Sequence, residues 1–434
     1  MKVSIVGAGL AGCEAALQLA HSGVEVNLYE MRPSTMTDAH TTGLPAELVC
    51  SNSLRSDLLH NAPGLLKEEL RRCGSFLMKA ADLCRVPAGG ALAVDREEFS
   101  LTVKQMLDAE KLITVIEKEV KELPEGKVII AAGPLASSAL TDTIIELTGS
   151  NSLYFYDAIA PVVDFESIDM DKAFFQNRYS EKAEDDADYI NCPFTKDEYF
   201  NFIEELKTGE RVSARDFEKE IHFQGCMPVE AIADSGEMSL AFGPMKPVGL
   251  KDKRSENTPF AVVQLRMENK SGTAWNLVGF QTKLTYSEQK TIFRMIPGLE
   301  SAEFIRLGTM HRNTFINGPE LLDERMFLEA NSDVMFAGQI TGIEGYIESI
   351  ASGFLAGKLM AGLKLLPPSE TALGAVLRYS TEKVSDNFQP SNINYGLFPP
   401  LKKKPRGGRR VRREAQAKRA LESIEHWLSE IMGN

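Results

Sequence analysis

The stretch VSIVGAGLAGCEAALQLAHSGVEVNLYE, residues 3–30, contains a complete strand–turn–helix–strand unit. The apolar run VSIV predicts a buried strand, and CEAALQLAHSG predicts a helix that ends at Gly23. A second strand, VEVNLYE, follows at once and ends at Glu30, eighteen residues beyond Gly12. This spacing is that of a βαβ unit of about 30 residues, so the glycines between the first strand and the helix are a specific signal.

The glycines fit the GxGxxG pattern of a dinucleotide-binding turn. Gly7 allows a tight turn, Gly9 lets the backbone approach a pyrophosphate, and Gly12 lets helix and strand pack closely. The helix N-terminus then faces the phosphates, and Glu30 can accept hydrogen bonds from an adenosine ribose. We predict that the dinucleotide contacts Gly7, Ala8, Gly9, Leu10, Ala11, Gly12 and Glu30.

Composition excludes several classes of protein. With 434 residues, 43% hydrophobic and 25% charged, the chain resembles an ordinary globular protein of about three domains, or one large domain with an insertion. No run approaches the roughly 18 apolar residues of a membrane span. The six cysteines and six histidines show no CxxC or HExxH spacing. We therefore predict a soluble, cytoplasmic protein with reduced thiols and no metal.

The charge is segregated along the chain. The formal net charge is −13, yet KKKPRGGRRVRR at 402–413 has eight basic residues and no acidic one. Such a block is typical either of a solvated tail or of contact with a polyanion. This basic run consists of Lys402, Lys403, Lys404, Arg406, Arg409, Arg410, Arg412 and Arg413.

Two later segments resemble the rest of the FAD signature of glutathione-reductase-like flavoproteins. KVIIAAGP at 127–134 predicts a buried strand, and VMFAG at 334–338 runs through a glycine-rich loop into a long helix of small residues. In those flavoproteins the late helix points its N-terminus at the flavin ring, and Asp usually stands where this chain has Gln339. The resemblance implies FAD contacts at Gly338, Gln339, Gly342, Gly345 and Tyr346. The absence of a second GxGxxG predicts that NADH or NADPH is a transient reductant.

The flavin pattern is interrupted in the middle of the chain. We predict an α/β fold: a glutathione-reductase-like, Rossmann-type FAD-binding domain at 1–150 and 300–366, with an inserted α+β substrate domain at 151–299. A helical segment with the basic run embedded in it follows at 367–434.

Two cysteines stand in unusual contexts. Cys50, in ELVCSNSLRSD, follows the loop after Glu30, and loops after strands line the cofactor crevice of such sheets. Ser51, Asn52 and Ser53 favour the start of a helix there, and a helix N-terminus or the nearby Arg55 would favour a thiolate. Cys226 lies in the turn-like FQGCMPVE. From these residues alone, each is either a packed thiol or a reactive one.

Five motifs in order carry a closer resemblance over essentially the whole chain: GAGLAGCEAA, ELVCSNSLRSD, FQGCMPVE, LGTMHRNTFINGP and FAGQITGIEGYIESIASG. The chain resembles the folate- and FAD-dependent tRNA (uracil-5-)-methyltransferases and, more distantly, the flavoproteins of tRNA wobble-uridine carboxymethylaminomethylation. The first family implies methylation of uracil C5 in the T-loop of tRNA, with 5,10-methylenetetrahydrofolate as carbon donor. It also implies Cys50 as nucleophile and Cys226 as general base. His311, in LGTMHRN, is a candidate for stacking against the folate or hydrogen-bonding to it, although a lone histidine is more often a structural residue.

A tRNA substrate favours phosphate contact by the basic run, whose affinity would fall steeply with salt. The target base would have to leave its stack to be reached. The wobble-uridine function remains the alternative, although that enzyme is a longer chain. A small-molecule flavin oxidoreductase and a non-catalytic RNA-binding flavoprotein are the other candidates.

Overall fold

The computed structural model describes residues 1–37, 39–149, 153–158, 160–178, 187–212, 227–251, 258–308, 310–382, 388–403 and 405–433, with only the backbone described at 153–158, 310–312 and 432–433. The strands are β1 Lys2–Val6, β2 Glu25–Glu30, β3 Ser53–Ser56, β4 Arg85–Val86, β5 Ala91–Val94, β6 Ile113–Glu117, β7 Lys127–Ile130, β8 Leu153–Ala158, β9 Val162–Asp164, β10 Phe174–Phe175, β11 Tyr189–Phe194, β12 Ala261–Met267, β13 Ala274–Leu277, β14 Phe304–Arg306, β15 Met310–Phe315, β16 Phe327–Leu328 and β17 Asn331–Phe336. The helices are α1 Leu10–His21, α2 Ala62–Arg72, α3 Phe76–Leu83, α4 Arg96–Ala109, α5 Ser138–Thr148, α6 Lys196–Thr208, α7 Val229–Asp234, α8 Ser239–Phe242, α9 Tyr286–Ile292, α10 Gly318–Leu321, α11 Tyr346–Met360, α12 Ala372–Thr381 and α13 Arg409–Gly433.

The first sheet has the order β16-β17-β7-β1-β2-β6, and all its pairs are parallel except β16 with β17. β1 lies between β2 and β7, so the connections leave it in opposite directions. In open α/β sheets such a point creates a crevice at the carboxyl ends of the strands, where ligands bind. The predicted strands at 3–6, 24–30, 127–130 and 334–336 all belong to this sheet.

Two helices of small residues pack closely beside this crevice. A Cβ atom at Gly353 would lie 2.2 Å from the carbonyl oxygen of Ala11, and one at Gly357 would lie 2.8 Å from that of Ala15. Because glycine stands at these positions, α11 lies directly against α1. Both helices begin at the carboxyl edge of the sheet, so their two N-termini lie at the same crevice.

The second sheet is antiparallel, with the order β10-β11-β12-β13-β9-β14, and it has a separate core that includes Trp275, Phe280 and Phe293. The inserted segment predicted at 151–299 accounts for most of it. β14 pairs with β9, however, so this sheet continues to Arg306. A pairing between strands about 140 residues apart leaves no local sequence signal at residue 299. β8 and β15 pair with each other beside the two large sheets.

The segment after Cys50 differs from expectation. We expected Ser51, Asn52 and Ser53 to start a helix, but residues 53–56 form β3, which pairs with β5. The Asn52 side chain donates instead to the carbonyl oxygens of Val94, at 3.1 Å, and Met267, at 2.9 Å. Those tertiary partners, absent from any local pattern, outweigh the capping preference.

The C-terminal segment returns to the first domain. Ala417, Ala420, Ile424 and Trp427 of α13 are buried in the same core as α1 and α11. The basic run was expected within a helix, but α13 begins only at Arg409. Pro405, Gly407 and Gly408 explain why the helix does not start earlier. Among the described residues, no helix is long and apolar enough to cross a membrane.

Candidate functional site

A cleft opens at the carboxyl edge of the first sheet, between the turns that follow β1, β7 and β17. Its volume is about 980 Å³ including the part open to solvent, within the usual range for small-molecule and cofactor sites. Eight of the twelve predicted cofactor residues line it: Gly7, Gly9, Leu10, Ala11, Glu30, Gly338, Gln339 and Tyr346. Ala8, Gly12, Gly342 and Gly345 lie just behind this lining in the same turns.

The first turn of the cleft fits a dinucleotide pyrophosphate. A Cβ at Gly12 would lie 1.8 Å from the Gly7 carbonyl oxygen, and one at Gly7 would lie 2.7 Å from that of Ala131, so both positions need glycine. A Cβ at Gly9 would meet no protein atom within 4 Å, because Gly9 faces open space. No side chain caps the N-terminus of α1, and its first turn has no acidic residue. These N–H groups are therefore available to an anion.

Glu30 is more tightly engaged than the sequence suggested. One carboxylate oxygen accepts the Ala8 N–H at 3.0 Å, and the other accepts the backbone N–H and Nε of Arg32 at 3.1 and 3.0 Å. Arg32 also pairs with Glu47 at 3.2 Å. Burial would raise the pKa of Glu30, but the hydrogen bonds and charge of Arg32 outweigh it and lower that pKa. Arg32 Nη2 also donates to the oxygen that accepts Ala8, at 3.1 Å, so protein donors occupy all four acceptor positions of this ionised carboxylate, which lines the cleft.

The loop at 338–346, which follows β17, lines another side of the same cleft. Gln339, which stands where the related flavoproteins have Asp, donates through Nε2 to both carboxylate oxygens of Glu344 at 2.9 Å. Gly342 and Gly345 have φ angles of +83° and +110°, which L-residues rarely adopt. Within the described part of the chain, no side chain caps the start of α11 at Gly345 either, but its first turn carries the buried carboxylate of Glu348.

Tyr346 connects this loop to Cys50. The Tyr346 hydroxyl oxygen accepts the backbone N–H of Cys50 at 2.7 Å and that of Ser51 at 3.2 Å. Burial and the charge of Cys50 raise the pKa of Tyr346, so its phenol stays neutral. Cys50 itself is only partly buried. Cys50 therefore adjoins the cleft, because its neighbour Val49 and its hydrogen-bond partner Tyr346 both line it.

Arg96 holds the other side of the Cys50 backbone. Its Nη2 donates to the Cys50 carbonyl oxygen at 3.2 Å, and its Nη1 donates to that of Leu48. Glu268, the residue after β12 in the inserted domain, accepts Nε and Nη2 of this guanidinium at 2.6 and 3.1 Å. This bidentate pair joins the two domains directly behind the thiol.

Two further arginines of the inserted domain face Cys50. Arg266 donates to the Asn52 side-chain oxygen at 3.2 Å and to the Ser51 hydroxyl at 3.1 Å. Arg306 approaches the Cys50 carbonyl oxygen at 3.5 Å. Cations beside a thiol favour its thiolate. We expected Arg55 in this role, but Arg55 pairs with Glu348 of α11. Arg96, Arg266 and Arg306 were missed because they are distant in sequence and match no motif.

Three other predictions lie wholly or partly outside the described residues. Cys226 and Lys404 are not described, and only the backbone of His311 is, on β15 opposite Asp157. Their roles remain predictions. Of the remaining cysteines, Cys13, Cys84 and Cys192 are buried.

The described part of the basic run lies around the start of α13. Arg410 pairs with Glu414 at 2.9 Å, and the Arg413 guanidinium lies 5.8 Å from the centre of the Tyr395 ring. The Tyr395 hydroxyl in turn donates to the Leu59 carbonyl oxygen at 2.9 Å. This chain of contacts ties the basic run to the loop between β3 and α2.

Fold and site together define an α/β protein with a glycine-rich crevice of the kind that binds dinucleotides and with the backbone of Cys50 held beside it. The sequence pattern of the family described as "Glucose inhibited division protein A" matches residues 2–365. The fold is also that of GidA from Aquifex aeolicus, with a TM-score of 0.68 at 16% identity, covering 98% of this chain and 73% of that one.

Closer relatives narrow the family. The chain is 54% identical over 438 residues to the methylenetetrahydrofolate–tRNA-(uracil-5-)-methyltransferase TrmFO of Syntrophotalea carbinolica, covering 100% of this chain and 95% of that protein. It is 55% identical over 435 residues to the TrmFO of Geobacter sulfurreducens, covering 99% of each. The chain therefore belongs to the glucose inhibited division protein A family and, within it, to the TrmFO proteins.

Proposed function

We propose that this protein methylates C5 of a uridine in the T-loop of tRNA, using 5,10-methylenetetrahydrofolate, FAD and NADH or NADPH. The observation that carries the proposal is the position of Cys50 beside the dinucleotide cleft, where its backbone is hydrogen-bonded by Arg96 and by Tyr346, a residue that lines the cleft. The full-length similarity to proteins named for this reaction supports it. Reduced thiols and a tRNA substrate belong to the cytoplasm.

Cys50 acts as the nucleophile. C5 of uracil reacts poorly with an electrophile until a nucleophile adds to C6. Addition of the Cys50 thiolate forms the S–C6 bond and moves the C5–C6 π electrons into the C4 carbonyl as an enolate. The guanidinium groups of Arg96, Arg266 and Arg306 interact electrostatically with Cys50.

The cofactors bind along the cleft. FAD contacts the turn at 7–12, Glu30 and the loop at 338–346, where two uncapped helix N-termini and the open space at Gly9 accommodate its pyrophosphate and ring. When bound, methylenetetrahydrofolate supplies the one-carbon unit, and FAD reduced by NADH or NADPH supplies the electrons that make it a methyl group.

The reaction then needs a proton acceptor, and the target uracil must leave its stack. We assign removal of the C5 proton to Cys226, as the family resemblance implies, and a folate contact to His311. Loss of that proton restores the C5–C6 double bond and expels the Cys50 thiolate. The basic run contacts phosphates of the tRNA while the target uridine turns out toward Cys50.

Incubation of the purified protein with unmodified tRNA, methylenetetrahydrofolate labelled in its methylene carbon, and NADPH tests the proposal. Nucleoside analysis should show label in 5-methyluridine at one T-loop position. Omission of the folate should abolish it. Methylation elsewhere, or label only in wobble uridine, would assign the chain to a different reaction.

A further inference from the structure

The three guanidinium groups beside Cys50 are not equally engaged. Arg96 is fixed by a carboxylate, and Arg266 is fixed by side-chain oxygens. Arg306 makes only two long contacts, both to backbone carbonyls, with Val49 and Cys50 at 3.5 Å. Among the described residues, its Nε has no hydrogen-bond partner although it is buried. Arg306 therefore keeps unused donors, and a guanidinium has five of them.

The cluster also carries excess positive charge. Glu268 is the carboxylate that all three guanidinium groups share: burial would raise the pKa of Glu268, but Arg96, Arg306 and Arg266 lower it. Burial and the neighbouring charge of Arg96 lower the pKa of Arg306 to about 10. Three guanidinium groups and one carboxylate leave two positive charges in excess, which a bound anion would reduce.

We propose that Arg306 binds the phosphodiester of the target nucleotide when its base stands beside Cys50. This subsite rests on the proposed function, because it presumes a nucleotide substrate. A planar guanidinium fork matches two phosphate oxygens, and a half-buried fork whose own contacts are long gains more from them than a solvated fork does. The bound phosphate would reduce the excess positive charge of the cluster.

The position of Arg306 favours the nucleotide over the carboxylate tail of the folate. Arg306 reaches the carbonyl of the residue whose thiol attacks C6, so its anion must lie next to the attacked base. In a nucleotide, only the ribose separates base from phosphate. In folate, a whole aminobenzoyl group separates the pterin from its glutamate, which would carry that charge away from Cys50.

The test compares Arg306→Met and Arg306→Lys with wild type and with Lys196→Met, which neutralises an exposed cation of the same domain. Arg306→Met should raise the KM for tRNA about tenfold, the usual size of a lost charge-assisted hydrogen bond. Arg306→Lys should recover part of this loss. FAD content and the KM for methylenetetrahydrofolate should stay at wild-type values, as should all parameters of Lys196→Met.

A modified substrate separates phosphate binding from a structural role. tRNA ligated from synthetic pieces would carry a neutral methylphosphonate on either side of the target uridine. Wild type should lose about tenfold in kcat/KM with one of these substrates, whereas Arg306→Met should lose nothing further. If Arg306→Met fails to fold, Arg306→Lys should show the same loss of sensitivity in part.

The possible failures are distinguishable. If wild type makes no 5-methyluridine from ordinary tRNA, the proposed function is wrong. The subsite is wrong if wild type is active and keeps its kcat/KM with both methylphosphonate substrates. It is also wrong if the methylphosphonate lowers the kcat/KM of the Arg306 variants as much as that of wild type. A rise in the KM for folate alone would assign Arg306 to the folate carboxylate instead.

Discussion

Two side chains hold the backbone of Cys50: the Tyr346 hydroxyl accepts its N–H, and Arg96 donates to its carbonyl oxygen. The position of Cys50 after the second strand left both a packed and a reactive thiol open, and the family resemblance implied the nucleophile. The sequence could not identify the cations, because Arg96 is 46 residues away and its partner Glu268 lies 172 residues further on. These hydrogen bonds fix the position of Cys50 relative to the cleft, and a nucleophile requires a fixed position.

Replacement of Cys50 by alanine should abolish formation of 5-methyluridine while leaving FAD and tRNA binding intact, because the enolate at C5 requires the thiol adduct. Wild type should form a covalent complex with tRNA containing 5-fluorouridine, since fluorine cannot leave as the C5 proton does. Denaturing electrophoresis measures the complex. Cys73→Ala, on the far side of α2, is the matched control and should remain active. A complex that survives loss of Cys50 and depends on Cys226 would reverse the two roles.

Lys67 provides a second prediction for a single residue. Its ammonium is buried and donates to the carbonyl oxygens of Ser56 at 2.7 Å and Pro63 at 3.1 Å. Burial lowers the pKa of Lys67 to about 7, although Asp57 opposes the shift. Unfolded lysine titrates near pH 10.4, so from pH 7 upward the unfolded chain holds a proton that the folded chain lacks. The contribution of Lys67 to the free energy of unfolding should therefore rise with pH above 7 and be lost as pH falls through 7.

The measurement is the free energy of unfolding in urea between pH 7 and 9. The difference between wild type and Lys67→Met should grow in favour of wild type by about 1.4 kcal/mol per pH unit. Lys104→Met, which removes an exposed lysine, should give no such slope. A flat difference for Lys67→Met would mean that the ammonium stays charged in the folded protein.

At the scale of elements, the sequence predicted what depends on local spacing. β1, α1 and β2 follow from one stretch of 28 residues, and β7, β17 and α11 follow from short apolar runs beside glycines. β3 was mistaken for a helix start because its partner β5 and the acceptors of Asn52 are distant in sequence. The antiparallel pairing of β9 with β14 was likewise invisible. Local periodicity predicts elements, whereas long-range pairing decides the boundaries of the inserted sheet.

The turn between β1 and α1 should lose its cofactor when Gly9 acquires a large side chain. A Cβ at Gly9 meets no protein atom within 4 Å, so Gly9→Leu should fold, but its side chain would fill the space left for the pyrophosphate. We expect purified Gly9→Leu to be colourless, with its visible flavin absorbance lost and not restored by added FAD. Gly23→Ala, at the opposite end of α1, should keep its flavin. Stoichiometric FAD in Gly9→Leu would place the cofactor elsewhere.

At the scale of the whole molecule, an acidic chain gathers arginines around Cys50 and at the start of α13. The arginines at the start of α13 oppose the helix dipole, which favours anions there. Folding alone gives no reason for four of them within five residues. A polyanionic partner does, and it would approach the loop between β3 and α2 that Tyr395 ties to this helix.

Neutralising Arg409, Arg410, Arg412 and Arg413 should therefore weaken tRNA binding and flatten its dependence on salt, with flavin content unchanged. Each lost phosphate contact should lower the slope of log affinity against log salt by roughly 0.7 to 0.9. Replacing four exposed lysines elsewhere, Lys104, Lys121, Lys196 and Lys290, removes the same charge and should leave the slope nearly intact. Because the arginines oppose the dipole, their loss should not lower the melting temperature of the protein without RNA. Equal slopes for the two quadruple variants would mean that the run attracts tRNA only through its total charge.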